Sequence, residues 1–259
     1  MKRRTFLQAS TAGAALAGTS AMATAAASVS TSPEYYEVRS YRLDSRGKQR
    51  LVSDYLRDAA LPAWKRIGIG PVGVFTELGD EADPSIHVLL TYSTIEQFAS
   101  ARSDLENDSQ YQTIGKDYLG AVVDDPAFVR LESSLMVAFA GFPKLELPGS
   151  EPRVLELRTY ESYSEAKARR KVDMFNDGEI PIFGGVGLQP VFFGETLIGP
   201  RVPNLKYMLA TSDLESNKAG WGKFVVDPAW ERMKVMPKYA DTVSKVSNIY
   251  LAPTDYSQV

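Results

Sequence analysis

Glu37-Val38-Arg39-Ser40-Tyr41 returns as Glu156-Leu157-Arg158-Thr159-Tyr160, an offset of 119 from residue 37 to residue 156. Recurrence at a fixed spacing is the mark of an internal repeat. The same register pairs Lys48 with Lys167, Arg50 with Arg169, Asp58 with Asp177, Pro62 with Pro181, Gly68 with Gly187, Pro71 with Pro190, Leu90 with Leu209 and Asp108 with Asp227. Chance does not hold one register over so many segments, so the chain carries two copies of one unit. Between them Gly141-Phe-Pro-Lys-Leu-Glu-Leu-Pro-Gly-Ser-Glu-Pro152 supplies three prolines and two glycines and reads as a linker. Repeat 1 is thus expected at 33–141, the linker at 142–152 and repeat 2 at 153–254.

Periodicity changes in the same order within each copy. An alternating strand (Tyr35 to Leu43; Val154 to Tyr160) precedes a helical pattern in which Leu51, Tyr55, Leu56 and Ala59 share a face, up to a break or kink at Leu61-Pro62. Strands follow at Gly73 to Glu77 and Ile86 to Tyr92, and in the second copy at Pro190 to Glu195 and Leu205 to Ala210. Helical stretches come next, around Ile95 to Tyr118 and Leu214 to Tyr239. Final strands are expected at Leu131 to Ala138 and Val246 to Leu251. The order β-α-β-β-α-β is the split βαβ arrangement of ferredoxin-like folds, an α+β class. A four-stranded antiparallel sheet with both helices on one face leaves its other face bare, and the second copy is the available cover. The expected architecture is two tandem ferredoxin-like repeats packed sheet to sheet as a dimeric α/β barrel within one chain.

Tyr36-Glu-Val-Arg-Ser-Tyr-Arg-Leu43, Leu61-Pro-Ala-Trp-Lys-Arg-Ile-Gly68, Gly73-Val-Phe-Thr-Glu77 and Ile86-His-Val-Leu-Leu-Thr-Tyr92 resemble the NIPSNAP domain, and Leu155-Glu-Leu-Arg-Thr-Tyr160 and Val226-Asp-Pro-Ala-Trp-Glu-Arg232 repeat the resemblance in the second copy. It implies a dimeric α/β-barrel fold in a family without a single established catalytic activity. The second copy departs from the pattern at Lys206, where the first has His87, and at the proline-rich turn Gly199-Pro-Arg-Val-Pro203. Chemistry that needs His87 would belong to one half only.

Alternation places Glu37, Arg39 and Tyr41 on one face of the first strand and Tyr36, Val38 and Ser40 on the other. In the second copy Glu156, Arg158 and Tyr160 oppose Leu155, Leu157 and Thr159. The expectation is that the apolar side meets the helices and the charged side lines the barrel interior. Charges inside a barrel need partners. Either Arg39 or Arg158 binds an anionic group there, with Tyr41 or Tyr160 donating a hydrogen bond and Glu37 or Glu156 acting as general base, or the residues satisfy one another and only fix how the halves pack. His87 alternates with Leu89 and Thr91 and shares the interior face or sits at a strand end. It completes the candidate cavity set and serves structure, catalysis or, since relatives of the barrel implied by the resemblance include haem enzymes, haem ligation. Trp64, Trp221 and Trp230 lie on helical segments and read as helix-sheet core. Asp124-Asp125 and Asp80-Glu81-Ala82-Asp83 fit turns rather than a calcium loop, and Gly68-Ile-Gly70 lacks the glycine and lysine of a phosphate cradle.

Composition narrows the functions. At 44% hydrophobic and 24% charged residues the chain is of ordinary globular type. Cysteine is absent, which removes disulfides, thiolate metal sites and cysteine nucleophiles, and the single histidine excludes a multi-histidine metal site within one chain. No cofactor is called for. Lys2-Arg3-Arg4-Thr5-Phe6-Leu7 followed by the Ala/Gly/Thr stretch from Ala9 to Ala27 resembles a twin-arginine export signal, with cleavage expected between Ala23 and Ala27. This gives a signal and lead over residues 1–30, a periplasmic or otherwise exported address and no stable membrane span after cleavage. Removing its three cations takes the net charge from −3 to −6, a poor match for nucleic acid. The expected partner is a small molecule between the repeats, in a monomer or homo-oligomer. Two further readings are a cofactor-independent monooxygenase or isomerase, by fold analogy, and a partner-binding module of the cell envelope.

Overall fold

Eight strands order the molecule: β1 (Tyr35–Arg42), β2 (Val72–Glu77), β3 (Ile86–Tyr92), β4 (Arg130–Ala138), β5 (Val154–Glu161), β6 (Gln189–Ile198), β7 (Asn204–Thr211) and β8 (Lys245–Pro253). The computed structural model describes residues 32–79, 84–149 and 153–259; the expected export signal, the acids from Asp80 to Asp83 and the end of the linker lie outside the described residues. All pairings are antiparallel, in the closed order β1-β3-β2-β8-β5-β7-β6-β4. Repeat 1 contributes β4-β1-β3-β2 and repeat 2 contributes β8-β5-β7-β6. The two sheets do more than face each other, because β2 pairs with β8 (Phe75 opposite Pro253) and β4 with β6 (Val137 opposite Glu195). Joining both seams leaves the barrel without a free sheet edge.

Helices cover the outside. In repeat 1, α1 (Arg46–Tyr55) starts at Ser45, whose hydroxyl accepts from the Lys48 backbone N–H. It runs through a π-helical turn, Leu56–Ala60, into α2 (Leu61–Arg66). Pro62 therefore does not end the helix: the wider turn before it lets the chain continue past a residue that lacks an N–H. Repeat 2 repeats the device with α6 (Glu165–Met174), a π-turn at Phe175–Glu179 and α7 (Ile180–Gly185). Each second helical stretch is split. Repeat 1 has α3 (Ile95–Glu106), α4 (Ser109–Ile114) and α5 (Lys116–Leu119), and repeat 2 has α8 (Leu214–Phe224) and α9 (Pro228–Lys234). The matched acids Asp108 and Asp227 each start a new helix by accepting backbone N–H groups at its first turn.

With helices outside and a closed barrel inside, both faces of a strand are covered, and every residue of β3 and β7 is buried. The inward face is the apolar one. Tyr36, Val38, Leu89, Leu157, Met208 and Leu251, drawn from both repeats, pack together in the barrel. Tyr41 packs instead with Trp64, Leu90 and Tyr92 beneath the repeat 1 helices, and Tyr160 with Phe175 and Tyr207 beneath those of repeat 2. The expected assignment of faces is thus inverted. The narrow middle of the barrel is filled by interlocking apolar side chains, whereas the helix layer offers indole, amide and hydroxyl partners for charge.

The last residues close one end. Thr254 N donates to Val74 O at 2.9 Å and Gln258 N to Val72 O at 2.9 Å, so the chain runs along β2 and inserts Val259, fully buried, into the interior cluster. Gly73 makes room, since a Cβ there would lie 2.3 Å from the Phe75 ring and 3.1 Å from Val259 Cβ.

Candidate functional site

Six of the seven cavity candidates lie under the helices, five of them in two hydrogen-bonded networks and Tyr41 packed in the apolar cluster beside the first. Glu37 accepts from Arg39 Nε (2.7 Å) and Nη2 (2.8 Å), Tyr92 Oη (2.7 Å) and Ser133 Oγ (2.6 Å). Burial pushes its carboxyl up, but the Arg39 guanidinium and these donors together hold it below the ordinary value. Glu156 accepts from Arg158 Nη1 (2.6 Å), Trp221 Nε1 (2.7 Å), Asn217 Nδ2 (3.0 Å) and Asn248 Nδ2 (3.0 Å). Arg158 stacks 4.1 Å above Trp221, Arg39 lies 5.6 Å from the Trp64 centroid, and Tyr207 donates to Tyr160 at 2.7 Å. Each carboxylate has four donors and no acceptor position left for a ligand. The Glu37 network ties β1 to β3 and β4, the Glu156 network ties β5 to α8 and β8, and none of the six residues lines the barrel-end cavity.

His87 is different. It points inward at the barrel end opposite Val259, into a cavity of about 260 Å³. Its Nε2 lies 2.9 Å from Glu77 Oε1 and its Nδ1 3.0 Å from Ser40 Oγ. In the tautomer that carries its proton on Nε2 the imidazole donates to Glu77 and accepts the Ser40 hydroxyl at Nδ1. Lys206 lines the same cavity and donates from Nζ to Thr159 Oγ1 at 3.0 Å. Ser40 lies opposite His87 in the β1/β3 register and Thr159 opposite Lys206 in the β5/β7 register. Each repeat therefore sends a matched pair, one hydroxyl bonded to one basic group, to the same space. Lys206 is 5% exposed and, among the described residues, has no ion-pair partner. Burial pulls its ammonium down to about 8, Arg201 adds repulsion, and Glu161 and Glu132 oppose both.

The turn after β6 forms part of the wall. Gly199 sits so close to β4 that a Cβ would lie 2.8 Å from Ser134 Oγ. Asn204 Nδ2 then holds the Pro200 (3.1 Å) and Arg201 (2.8 Å) carbonyls, which places both residues against the cavity. The proline-rich turn of repeat 2 is thus a piece of the pocket. Haem does not fit: both His87 nitrogens are engaged and a cavity of about 260 Å³ has no space for a porphyrin. Among the described residues no group of three His, Cys, Asp or Glu side chains is placed to hold a metal ion, and no helix is long and apolar enough to cross a membrane. Lys206, Glu77, Ser40 and Thr159 were not among the residues that alternation singled out. The 119-residue register, which sets Ser40 against Thr159 and His87 against Lys206, is the signal from which three of them could be found; nothing in the sequence marks Glu77.

The NIPSNAP family model matches residues 36–140 and again 155–258. No curated protein matches the chain. Among solved structures, a "putative monooxygenase" from Fusobacterium nucleatum is similar over 86% of this chain and 93% of its own, at 8% identity and a TM-score of 0.56. Another so described, from Lactobacillus acidophilus, is similar over 85% and 94%, at 9% identity and a TM-score of 0.56. These identities speak for a shared fold alone. A NIPSNAP family protein of unknown function from Agrobacterium tumefaciens aligns with 42% of this chain over 96% of its own length, at 21% identity and a TM-score of 0.38.

Proposed function

The chain belongs to the NIPSNAP family, in two copies, and from that premise we propose that it binds a small polar molecule in the barrel-end pocket between its repeats. The observation that carries this reading is the convergence of Ser40–His87 and Thr159–Lys206 on one cavity of about 260 Å³. Packing alone has no need of a buried amine without a carboxylate partner, which costs stability. A few convergent polar groups in a concave site are what a ligand requires. The test is protein-observed NMR with a library of small polar compounds. Shifts clustered at His87, Thr159 and Lys206 and abolished by Ser247→Phe, which fills the pocket, support the reading; no shifts, or shifts elsewhere, overturn it.

A second reading, cofactor-independent proton-transfer chemistry of the isomerase or monooxygenase kind, is favoured by one feature: two basic side chains, the His87 imidazole and the Lys206 amine, share the pocket. The description of two barrel neighbours as monooxygenases adds analogy at the level of fold. Turnover of a bound compound that falls in His87→Gln while binding persists is the expected result. We read each half as a ferredoxin-like repeat with the bounds 33–141 and 153–254, on the strength of its four-strand order. We also propose export through the twin-arginine route, on the strength of Arg3-Arg4 and Phe6-Leu7. Arg3→Lys with Arg4→Lys is expected to leave the protein in the cytoplasmic fraction, and unchanged export would remove the proposal.

A further inference from the structure

We propose that Lys206 is a carbonyl-capturing amine, its Nζ condensing with small aldehydes or ketones that enter the barrel-end pocket. The inference rests on that pocket being a binding site and names the substrate class. Lys206 is held on β7 facing inward, and its Nζ donates to Thr159 Oγ1 at 3.0 Å, its one side-chain hydrogen bond among the described residues. A bond in which nitrogen donates leaves the lone pair of the neutral amine free for a carbonyl carbon. On the same cavity His87 sits between Ser40 and Glu77, an imidazole with a ring nitrogen on each side to take up or hand on a proton.

Imine formation needs just such a pair. The Nζ lone pair attacks the carbonyl carbon, the carbonyl oxygen takes a proton and the nitrogen gives one up, yielding a carbinolamine. The hydroxyl then takes a second proton and leaves as water while the C=N bond forms. His87 carries these protons, and no electrons are exchanged with an outside reagent.

The charged groups around the amine set its state. Arg201 on the β6–β7 turn, Glu161 on β5 and Glu132 on β4 act on it together with burial, which brings it to about 8, and Arg42, Glu77 and His87 also line the cavity. At pH 7 roughly one such amine in ten is neutral, against about one in 2,500 for an ordinary lysine. Lys171 supplies an internal contrast. It is as deeply buried, but its Nζ is held by Glu179 Oε2 at 2.6 Å beneath the repeat 2 helices.

The experiment is reductive trapping on the full chain with cyanoborohydride and, separately, benzaldehyde and pyruvate, followed by peptide mapping at several pH values. Expected is one adduct per chain, on Lys206, formed at pH 7 at least tenfold faster than on the exposed Lys65, Lys218 or Lys223, with a rate half-maximal near pH 8 and no fast adduct in Lys206→Met. Trapping by either probe supports the inference. Labelling of Lys206 no faster than of the exposed lysines with both probes overturns it, and this comparison is made within the wild-type chain. The two readings fail separately. Ligands that shift pocket resonances while Lys206 stays unlabelled leave binding standing and remove capture, whereas a pocket that no compound reaches by NMR removes binding itself.

Discussion

Lys206 and His87 occupy the same position in the two repeats, and each meets a hydroxyl on the neighbouring strand at 3.0 Å: Lys206 the Thr159 hydroxyl and His87 the Ser40 hydroxyl. The barrel turns the two toward one cavity, so a sequence difference between the repeats becomes a chemical pairing.

Lys206→Met is expected to stabilise the protein at neutral pH. An ammonium lowered from 10.5 to about 8 on folding opposes the folded state wherever both states are protonated, below about pH 8. That cost, on the order of 3 kcal/mol, fades as pH rises from 8 to 10.5. Urea denaturation at pH 7 and pH 10.5 should find the variant a few kcal/mol ahead at the lower pH, with the gap closing at the higher.

Glu37→Gln should act in the opposite direction. The folded carboxyl titrates below the ordinary 4.5, so its stabilising contribution is present above that value and lost as pH falls through the folded one. The variant should lose about 3–5 kcal/mol at pH 7 by leaving Arg39 without its carboxylate. Its stability curve should converge on that of the wild type in acid, as read by chemical denaturation between pH 7 and 2.

Lys171 and Glu179 form a buried ion pair at 2.6 Å where the repeat register places Val52 and Ala60 in repeat 1. Glu179→Ala strands a buried ammonium and should cost about 3–5 kcal/mol. Adding Lys171→Val, which installs the apolar pair of repeat 1, should recover most of that loss in a double-mutant cycle.

Val259→Asp should cost several kcal/mol, because the side chain is fully buried against the barrel interior with no polar partner in that cluster. Gly73→Ala, whose Cβ would press on the Phe75 ring, should cost about 1–3 kcal/mol. Thermal unfolding checks both.

Much of the architecture was legible in the chain itself. The 119-residue register exposed the duplication, and alternation and helical spacing placed all eight strands to within a few residues, with β3 read at Ile86 to Tyr92 as found. Pro62 signals a break or kink, while a π-turn just before it lets the helix pass, and Pro181 follows the same device. Trp64, Trp221 and Trp230 read as helix-sheet core from the sequence; Trp64 is buried in the repeat 1 cluster and the other two are partly buried against the repeat 2 cluster.

What the sequence by itself determined is that two like α+β units with two-faced strands are joined in one chain, because repeat register and side-chain period are local properties. Which face lies inside was decided by the tertiary structure. Glu37 and Glu156 are buried where Arg39, Tyr92, Arg158 and Trp221 converge on their carboxylates, and those partners come from the helix layer, neighbouring strands and the same strand at once. The pocket too exists only after closure: pairing β2 to β8 and β4 to β6 brings His87 and Lys206, far apart in the chain, to one end of one barrel.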